Sequence, residues 1–116
     1  MRIFLTGATG FIGKNIVKEL KEHTVYTLVR SKKKFNLIKR QDVIPVFGDL
    51  TENNWNLPEV DVIVHNAGLI RGKKSEYYLV NAKGTYILVE KAKKLKNLKK
   101  FILISSQAAS GPAPLS

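Results

Sequence analysis

Three glycines near the amino terminus, spaced three residues apart, could hold a phosphate group. Gly7, Gly10 and Gly13 follow a short apolar segment at residues 2–6 and precede an amphipathic stretch. Glycines at such a junction let the backbone turn tightly and approach a ligand that any Cβ would block. The free N–H groups and the positive dipole end of the following helix would stabilise a pyrophosphate. The spacing therefore predicts dinucleotide binding, with an ordinary turn between a strand and a helix as the alternative.

A basic residue, Arg30, ends the second apolar segment at residues 25–30. In dinucleotide-binding folds that select NAD, this place holds an acidic residue that accepts a hydrogen bond from the ribose 2′-hydroxyl. An arginine instead suits the 2′-phosphate of NADP, by its charge and by its planar donor fork. Ser31, Lys32 and Lys33 could add donors and charge. The sequence favours NADP over NAD, and a solvent-facing basic turn is the alternative.

Apolar segments alternate with amphipathic segments along the chain, and these elements must position the candidate residues. Five strands are predicted, at residues 2–6, 25–30, 43–47, 60–65 and 101–105. The periodicity predicts helices at residues 11–20, 35–40 and 75–96.

Strands alternating with helices indicate an α/β fold with a parallel sheet. Right-handed crossovers give the strand order 3-2-1-4-5, which is a Rossmann-type doubly wound sheet. Pro45 agrees with this order, because it lies in the third strand and proline is tolerated at a sheet edge. Ligands of such folds bind beyond the carboxyl ends of the strands.

Composition restricts the class of protein. A chain of 116 residues with 44% hydrophobic and 25% charged residues is typical of one soluble domain. We expect no membrane contact, since no apolar run is long enough to span a bilayer. The amino terminus has no signal-peptide pattern. Cysteine is absent, which excludes disulfides and fits a cytoplasmic location. No metal site is predicted.

The net charge of +11 raises the question of a nucleic-acid partner. The lysines cluster at residues 32–34 and 91–100. The second cluster interleaves with Ala92, Leu95 and Leu98, as expected for the solvated face of a helix end, where cations complement the helix dipole. We therefore do not expect nucleic-acid binding.

Five short motifs, in order along the chain, resemble those of the extended short-chain dehydrogenases/reductases, the NAD(P)-dependent epimerase/dehydratase family. The matching segments are Thr6-Gly7-Ala8-Thr9-Gly10-Phe11-Ile12-Gly13, Gly48-Asp49-Leu50, His65-Asn66-Ala67-Gly68, Asn81-Ala82-Lys83-Gly84-Thr85 and Ser105-Ser106. Together they cover most of the chain.

The resemblance implies a role for individual residues. Asp49 would accept a hydrogen bond from the adenine amino group, and Leu50 would pack beside the ring. Ser106 would be the catalytic residue that hydrogen-bonds the substrate oxygen. The cofactor-binding residues implied by the resemblance, together with Arg30, are Gly7, Thr9, Gly10, Phe11, Ile12, Gly13, Asp49, Leu50, Ala67, Gly68 and Asn81.

Each role has a structural alternative. Asp49 could cap the turn after the third strand, and Asn81 could satisfy backbone groups. Ser106 could cap a loop or a helix. His65 is expected to be a packed structural residue rather than a catalyst, and the tyrosines at 77, 78 and 86 are most simply core and interface residues.

The resemblance also implies a Tyr-x-x-x-Lys pair as general acid and base, on a helix after the serine strand. None of the four tyrosines is followed by lysine at that spacing. We expect residues 1–116 to be a partial NAD(P)-binding domain without the substrate-binding C-terminal region, inactive alone. The parent enzyme would be an epimerase, dehydratase or reductase acting on a nucleotide sugar or a small carbonyl compound. A non-catalytic sensor or scaffold module that binds NAD(P) is the alternative.

Self-association is expected because the resemblance implies a further strand beside the fifth. Without it, residues 101–104 would present unpaired backbone groups, which recruit other chains. The long helix would likewise expose apolar surface around Leu79, Tyr86 or Leu88.

Overall fold

A computed structural model describes residues 1–8, 11–36, 38, 43–67 and 74–105. Its elements, in chain order, are β1 (Arg2–Thr6), α1 (Phe11–Glu19), β2 (Thr24–Val29), α2 (Lys32–Phe35), β3 (Val43–Phe47), β4 (Val62–Ala67), α3 (Lys74–Ala92) and β5 (Lys100–Ser105). The five strands form one parallel sheet in the order β3-β2-β1-β4-β5. The predicted fold class and strand order are confirmed, and β3, which contains Pro45, lies at an edge.

Two helices differ from their predicted bounds. The short helix α2 begins at Lys32, because the Ser31 hydroxyl oxygen caps it by accepting the Lys34 N–H at 3.2 Å. The predicted helix at 35–40 thus coincides with α2 only at Phe35, and residues 37 and 39–40 lie outside the described residues.

The long helix α3 ends at Ala92, four residues before its predicted end. Beyond it, the Lys96 and Asn97 N–H groups donate to the Glu59 carboxylate at 3.1 and 2.8 Å. These backbone groups are bonded outside the helix, because a carboxylate from a distant loop competes for them. The lysines at 96–100 therefore lie in the loop before β5 and at its first residue.

The sheet has an apolar core on each face, since alternate side chains of a strand point to opposite sides. One core contains Ile3, Leu5, Ala8, Val17, Val25, Ile38, Val43 and Val64. The other contains Phe4, Trp55, Val60, Ile63, Leu88 and Ala92. Leu88 is fully buried, so the exposed surface expected on α3 around Leu79, Tyr86 or Leu88 includes Tyr86 but not Leu88.

The loop after β3 packs onto the second core through Trp55. The indole is 3% exposed and stacks on Phe4, with the ring centroids 5.7 Å apart and the planes 5° from parallel. Lys91 of α3 lies 4.8 Å from the indole centroid, and its ammonium donates to the Trp55 carbonyl at 2.7 Å. These contacts hold the loop that begins at Gly48 against the sheet and α3.

Strand β5 forms the second edge of the sheet and exposes apolar side chains. Ile102 is 39% exposed and Leu103 is 56% exposed, on opposite faces of the strand. On α3, Tyr86 is 67% exposed and is therefore no core residue. Self-association through this edge stays a prediction. In the described part of the chain, no helix combines the length and the apolar character that crossing a membrane requires.

Candidate functional site

The carboxyl ends of the parallel strands place the candidate residues along one edge of the sheet. Thr6, the last residue of β1, is level with His65 in β4. Ala67, the last residue of β4, is level with Ser105 at the end of β5. Residues that follow these strands therefore meet at the edge where ligands of doubly wound sheets bind.

The glycine turn after β1 depends on two of its glycines. Gly7 has a φ of +71°, and a Cβ on it would lie 2.7 Å from the Asn66 carbonyl oxygen. A Cβ on Gly13 would overlap the Gly7 carbonyl oxygen and lie 2.7 Å from the Ala8 Cα. Only glycine allows this close approach of the first turn of α1 to the end of β1.

The chemistry of this turn suits an anionic group. Helix α1 begins at Phe11, and its first turn contains no acidic residue. Its amino-terminal N–H groups and dipole therefore face the turn without a competing carboxylate. Thr9 and Gly10 lie outside the described residues, as do the side chains of Phe11 and Ile12. The described part of the turn fits the pyrophosphate of a dinucleotide.

Asp49 caps its own loop in the way that the structural alternative anticipated. One carboxylate oxygen, Oδ1, accepts the Thr51 N–H at 2.9 Å and the Thr51 hydroxyl at 2.8 Å. These two bonds lower the pKa of Asp49, and the charges of Arg30 and Lys83 lower it further. The cap orients the carboxylate. One oxygen can cap the loop while the other accepts a hydrogen bond from a ligand, so the role of Asp49 toward adenine stays a prediction.

Leu50 and helix α3 are in close contact beside Asp49. A Cβ on Gly84 would lie 2.8 Å from Leu50 Cδ2, so the glycine lets the helix approach this side chain. Lys83, the preceding residue, is exposed. The segment after β3 and the middle of α3 therefore form one wall of the candidate site.

Arg30 directly follows β2, the strand that pairs with β3. It is exposed, and the Val29 carbonyl before it accepts the Gly48 N–H at 3.0 Å. Its charge acts on Asp49, as does that of Lys83. The two cations and the carboxylate thus converge from three elements, and Lys83 is the one that the sequence motifs did not single out.

His65 is buried and hydrogen-bonded on both sides of its ring, as expected of a packed residue. It is 1% exposed. Its Nδ1 lies 2.7 Å from the Thr6 hydroxyl oxygen, and its Nε2 lies 2.8 Å from the Thr85 hydroxyl oxygen. Burial lowers the pKa of His65, so the ring is neutral at pH 7. Both threonines lie in the quoted motifs, but their bonds to His65 were not predicted, because 59 and 20 residues separate them from it.

The buried ring predicts a pH-dependent stability. Unfolded His65 takes up a proton near its ordinary pKa of 6.5, whereas the folded ring does so only at lower pH. Below pH 6.5 the unfolded state therefore binds more protons, and the free energy of unfolding falls by up to about 1.4 kcal/mol per pH unit. Urea unfolding at pH 7.5 and pH 5.5 should show this loss, and His65→Asn should remove most of it. His23 is present both in the parent chain and in His65→Asn. An equal loss of stability between pH 7.5 and pH 5.5 in these two proteins would therefore contradict the assignment to His65.

Asn81 and Ala67 are the other described candidates, and the structure places both at this edge. Asn81 is half-buried on α3, four residues before Thr85 and so on the same face of the helix. Ala67 ends β4. Gly68 and Ser106 lie outside the described residues. Within the described ranges, no group of three acidic, histidine or cysteine side chains could hold a metal ion.

Comparisons with known proteins agree with this architecture. The sequence matches the family model described as NAD dependent epimerase/dehydratase family over residues 3–115. The chain is 33% identical to UDP-glucose 4-epimerase of Vibrio cholerae over 123 residues, covering 97% of the chain and 37% of that protein. It is 30% identical to fatty acyl-CoA reductase 1 of Rattus norvegicus over 144 residues, covering 92% of the chain and 28% of that protein.

A solved structure shares the fold. The yeast methylglyoxal/isovaleraldehyde reductase Gre2, complexed with NADPH, superposes with a TM-score of 0.73 at 23% identity. The match covers 94% of this chain and 38% of Gre2. The chain thus spans less than two-fifths of each of these three proteins. The family match extends over nearly the whole sequence and includes the glycine turn, Asp49 and His65, and the chain accordingly belongs to the NAD dependent epimerase/dehydratase family.

Proposed function

We propose that this chain binds a nicotinamide dinucleotide at the carboxyl edge of its sheet, as the cofactor-binding part of a reductase, epimerase or dehydratase. The observation that carries the proposal is the turn after β1, in which Gly7 has a positive φ and Gly13 lies against the Gly7 backbone. This arrangement brings the amino terminus of α1 to the position where a pyrophosphate binds in doubly wound folds.

Different residues would hold different parts of the dinucleotide. The turn from Gly7 to Gly13 would hold the pyrophosphate, and Asp49 with Leu50 would hold the adenine. Bound nicotinamide would supply hydride transfer. Ser106 would hydrogen-bond the substrate oxygen. Ala67 and Gly68 would line the adenosine ribose and the pyrophosphate, and Asn81 would support the active-site end of α3.

The substrate class is the further part of the proposal. Two of the related proteins are named as reductases of carbonyl or acyl compounds, and a third is named as an epimerase of a nucleotide sugar. We propose a nucleotide sugar or a small carbonyl compound as the substrate of the complete enzyme, and a cytoplasmic location. Since no tyrosine of this chain has a lysine four residues later, the chain alone should not turn over substrate.

Arg30 should select NADP. It is exposed directly after β2, and its positive charge contributes to the lowered pKa of Asp49. The NADPH bound to Gre2 supports this preference at the level of the fold. Replacing Arg30 with aspartate removes a charge-assisted phosphate contact of about 1.5–3 kcal/mol. We expect the dissociation constant for NADP to rise at least about tenfold and that for NAD to change little.

Calorimetric titration of both dinucleotides into the parent chain and Arg30→Asp measures this. Lys21→Asp is a matched control, because Lys21 is also exposed and basic but lies between the end of α1 and the start of β2, at the opposite edge of the sheet. Equal affinity of the parent chain for NAD and NADP would contradict the cofactor assignment while leaving dinucleotide binding intact.

A further inference from the structure

The ring of His65 joins three elements that form the candidate site. Its two nitrogens contact Thr6 at the end of β1 and Thr85 in the middle of α3, at 2.7 and 2.8 Å. The ring itself belongs to β4 and is 1% exposed. It also packs edge-on against Phe101 of β5, with the ring centroids 6.4 Å apart. A residue so buried cannot touch a ligand, yet it connects the parts that would.

On one side the connection reaches the glycine turn. The Thr6 hydroxyl oxygen that contacts His65 also accepts the Asn66 N–H at 3.0 Å. The Asn66 side-chain amide donates to the Gly7 carbonyl at 3.4 Å. The Asn66 carbonyl oxygen lies 2.7 Å from the position that a Cβ of Gly7 would take. The position of the β4 end therefore determines the position of the Gly7 turn.

On the other side the connection sets the rotation of α3. Thr85 and Asn81 are four residues apart, so they share one face of the helix. A bond from His65 to Thr85 keeps this face directed toward the sheet edge. The same rotation holds Gly84 against Leu50.

We propose that His65 is a positioning residue for dinucleotide binding, which fixes the Asn81 face of α3 relative to the Gly7 turn. The inference rests on the proposed function, because it concerns the affinity for the same ligand. A residue with only a structural role would lower the stability of the fold when replaced. Replacing a positioning residue would also weaken ligand binding by the protein that remains folded, because the Gly7 turn and α3 would no longer be held in a fixed relative position.

NADPH titrations of the 116-residue chain and its variants test the proposal. His65→Phe keeps an aromatic ring, somewhat larger than the imidazole, and removes both hydrogen bonds, so the dissociation constant for NADPH should rise about tenfold. His65→Gln places an amide near the position of Nε2 and can still bond Thr85, so it should recover most of that loss. Val25→Ala is the control: Val25 is fully buried in β2, and its truncation destabilises the core without touching the site. Its affinity for NADPH should stay within about twofold of the parent value.

A double-mutant cycle separates a shared role from two independent ones. Thr85→Val should weaken NADPH binding about as much as His65→Phe, and the double variant should bind no more weakly than either single variant. Full additivity, or unchanged affinity in folded His65→Phe, would overturn the inference while leaving the proposed function intact. Failure of the parent chain itself to bind NADPH would overturn both. Circular dichroism at the titration temperature confirms that each variant is folded.

Discussion

Replacing Gly13 with alanine should weaken dinucleotide binding strongly and destabilise the fold. The new Cβ would overlap the Gly7 carbonyl oxygen and lie 2.7 Å from the Ala8 Cα, and both are backbone atoms that no rotamer change can move. Either α1 or the end of β1 must shift, at a cost of about 1–3 kcal/mol or more. The shift would also misplace the N–H groups that face the pyrophosphate. Losing two such bonds would weaken binding about 100-fold or more.

Gly84→Ala is the matched control for stability. Its Cβ would also make close contacts, at 2.8 Å to both Cγ and Cδ2 of Leu50, but these atoms belong to a side chain that can rotate and not to the backbone. Alanine also favours a helix over glycine by about 1 kcal/mol. We expect Gly84→Ala to change the free energy of unfolding by less than about 1 kcal/mol. Urea unfolding of both variants decides the matter, and equal stabilities would contradict the close packing at Gly13.

Trp55→Ala should strongly lower the stability of the fold. Truncating a buried aromatic side chain costs about 3–5 kcal/mol. Trp55 is 3% exposed, stacks on Phe4 and lies under the Lys91 ammonium. Its removal would also release the loop that begins at Gly48, because Gly48 packs closely against the Trp55 side chain. The free energy of unfolding should fall accordingly, and NADPH affinity should fall with it.

Two further variants separate the contributions at Trp55. Trp55→Phe keeps a ring to stack on Phe4, so it should retain more than half of the stability that Trp55→Ala loses. Lys91→Met keeps the apolar stem and removes the bond to the Trp55 carbonyl, which should cost about 0.5–1.5 kcal/mol. Trp55→Ala unfolding at the same urea concentration as the parent would show that the loop is not held by this ring.

The strand order could be predicted from the sequence because it depends on local patterns and general rules. The alternation of apolar and amphipathic segments is local, the handedness of crossovers is nearly universal, and Pro45 indicated which strand lies at an edge. The glycine turn was predicted for the same reason, since Gly7, Gly10 and Gly13 lie within seven residues.

What the sequence did not reveal depends on contacts between distant residues. Helix α3 does not reach its predicted end at Lys96, where the N–H group donates instead to the Glu59 carboxylate, 37 residues earlier in the chain. The bonds of His65 to Thr6 and Thr85 span 59 and 20 residues. The start of α2 is different, because Ser31 is a local capping signal that could have been read from the sequence.

The central claim is that the dinucleotide binds at the carboxyl edge of the sheet. An NMR titration tests it most directly, in which NADPH is added to the ¹⁵N-labelled chain and the backbone amide signals are followed. Binding at the carboxyl edge should shift the amide signals of Gly7, Gly13, Asp49 and Leu50, and leave those of Lys21 and Lys99 at the opposite edge unchanged. Shifts confined to the opposite edge, or no shift at millimolar NADPH and NADH, would contradict the assignment of this edge as the dinucleotide site.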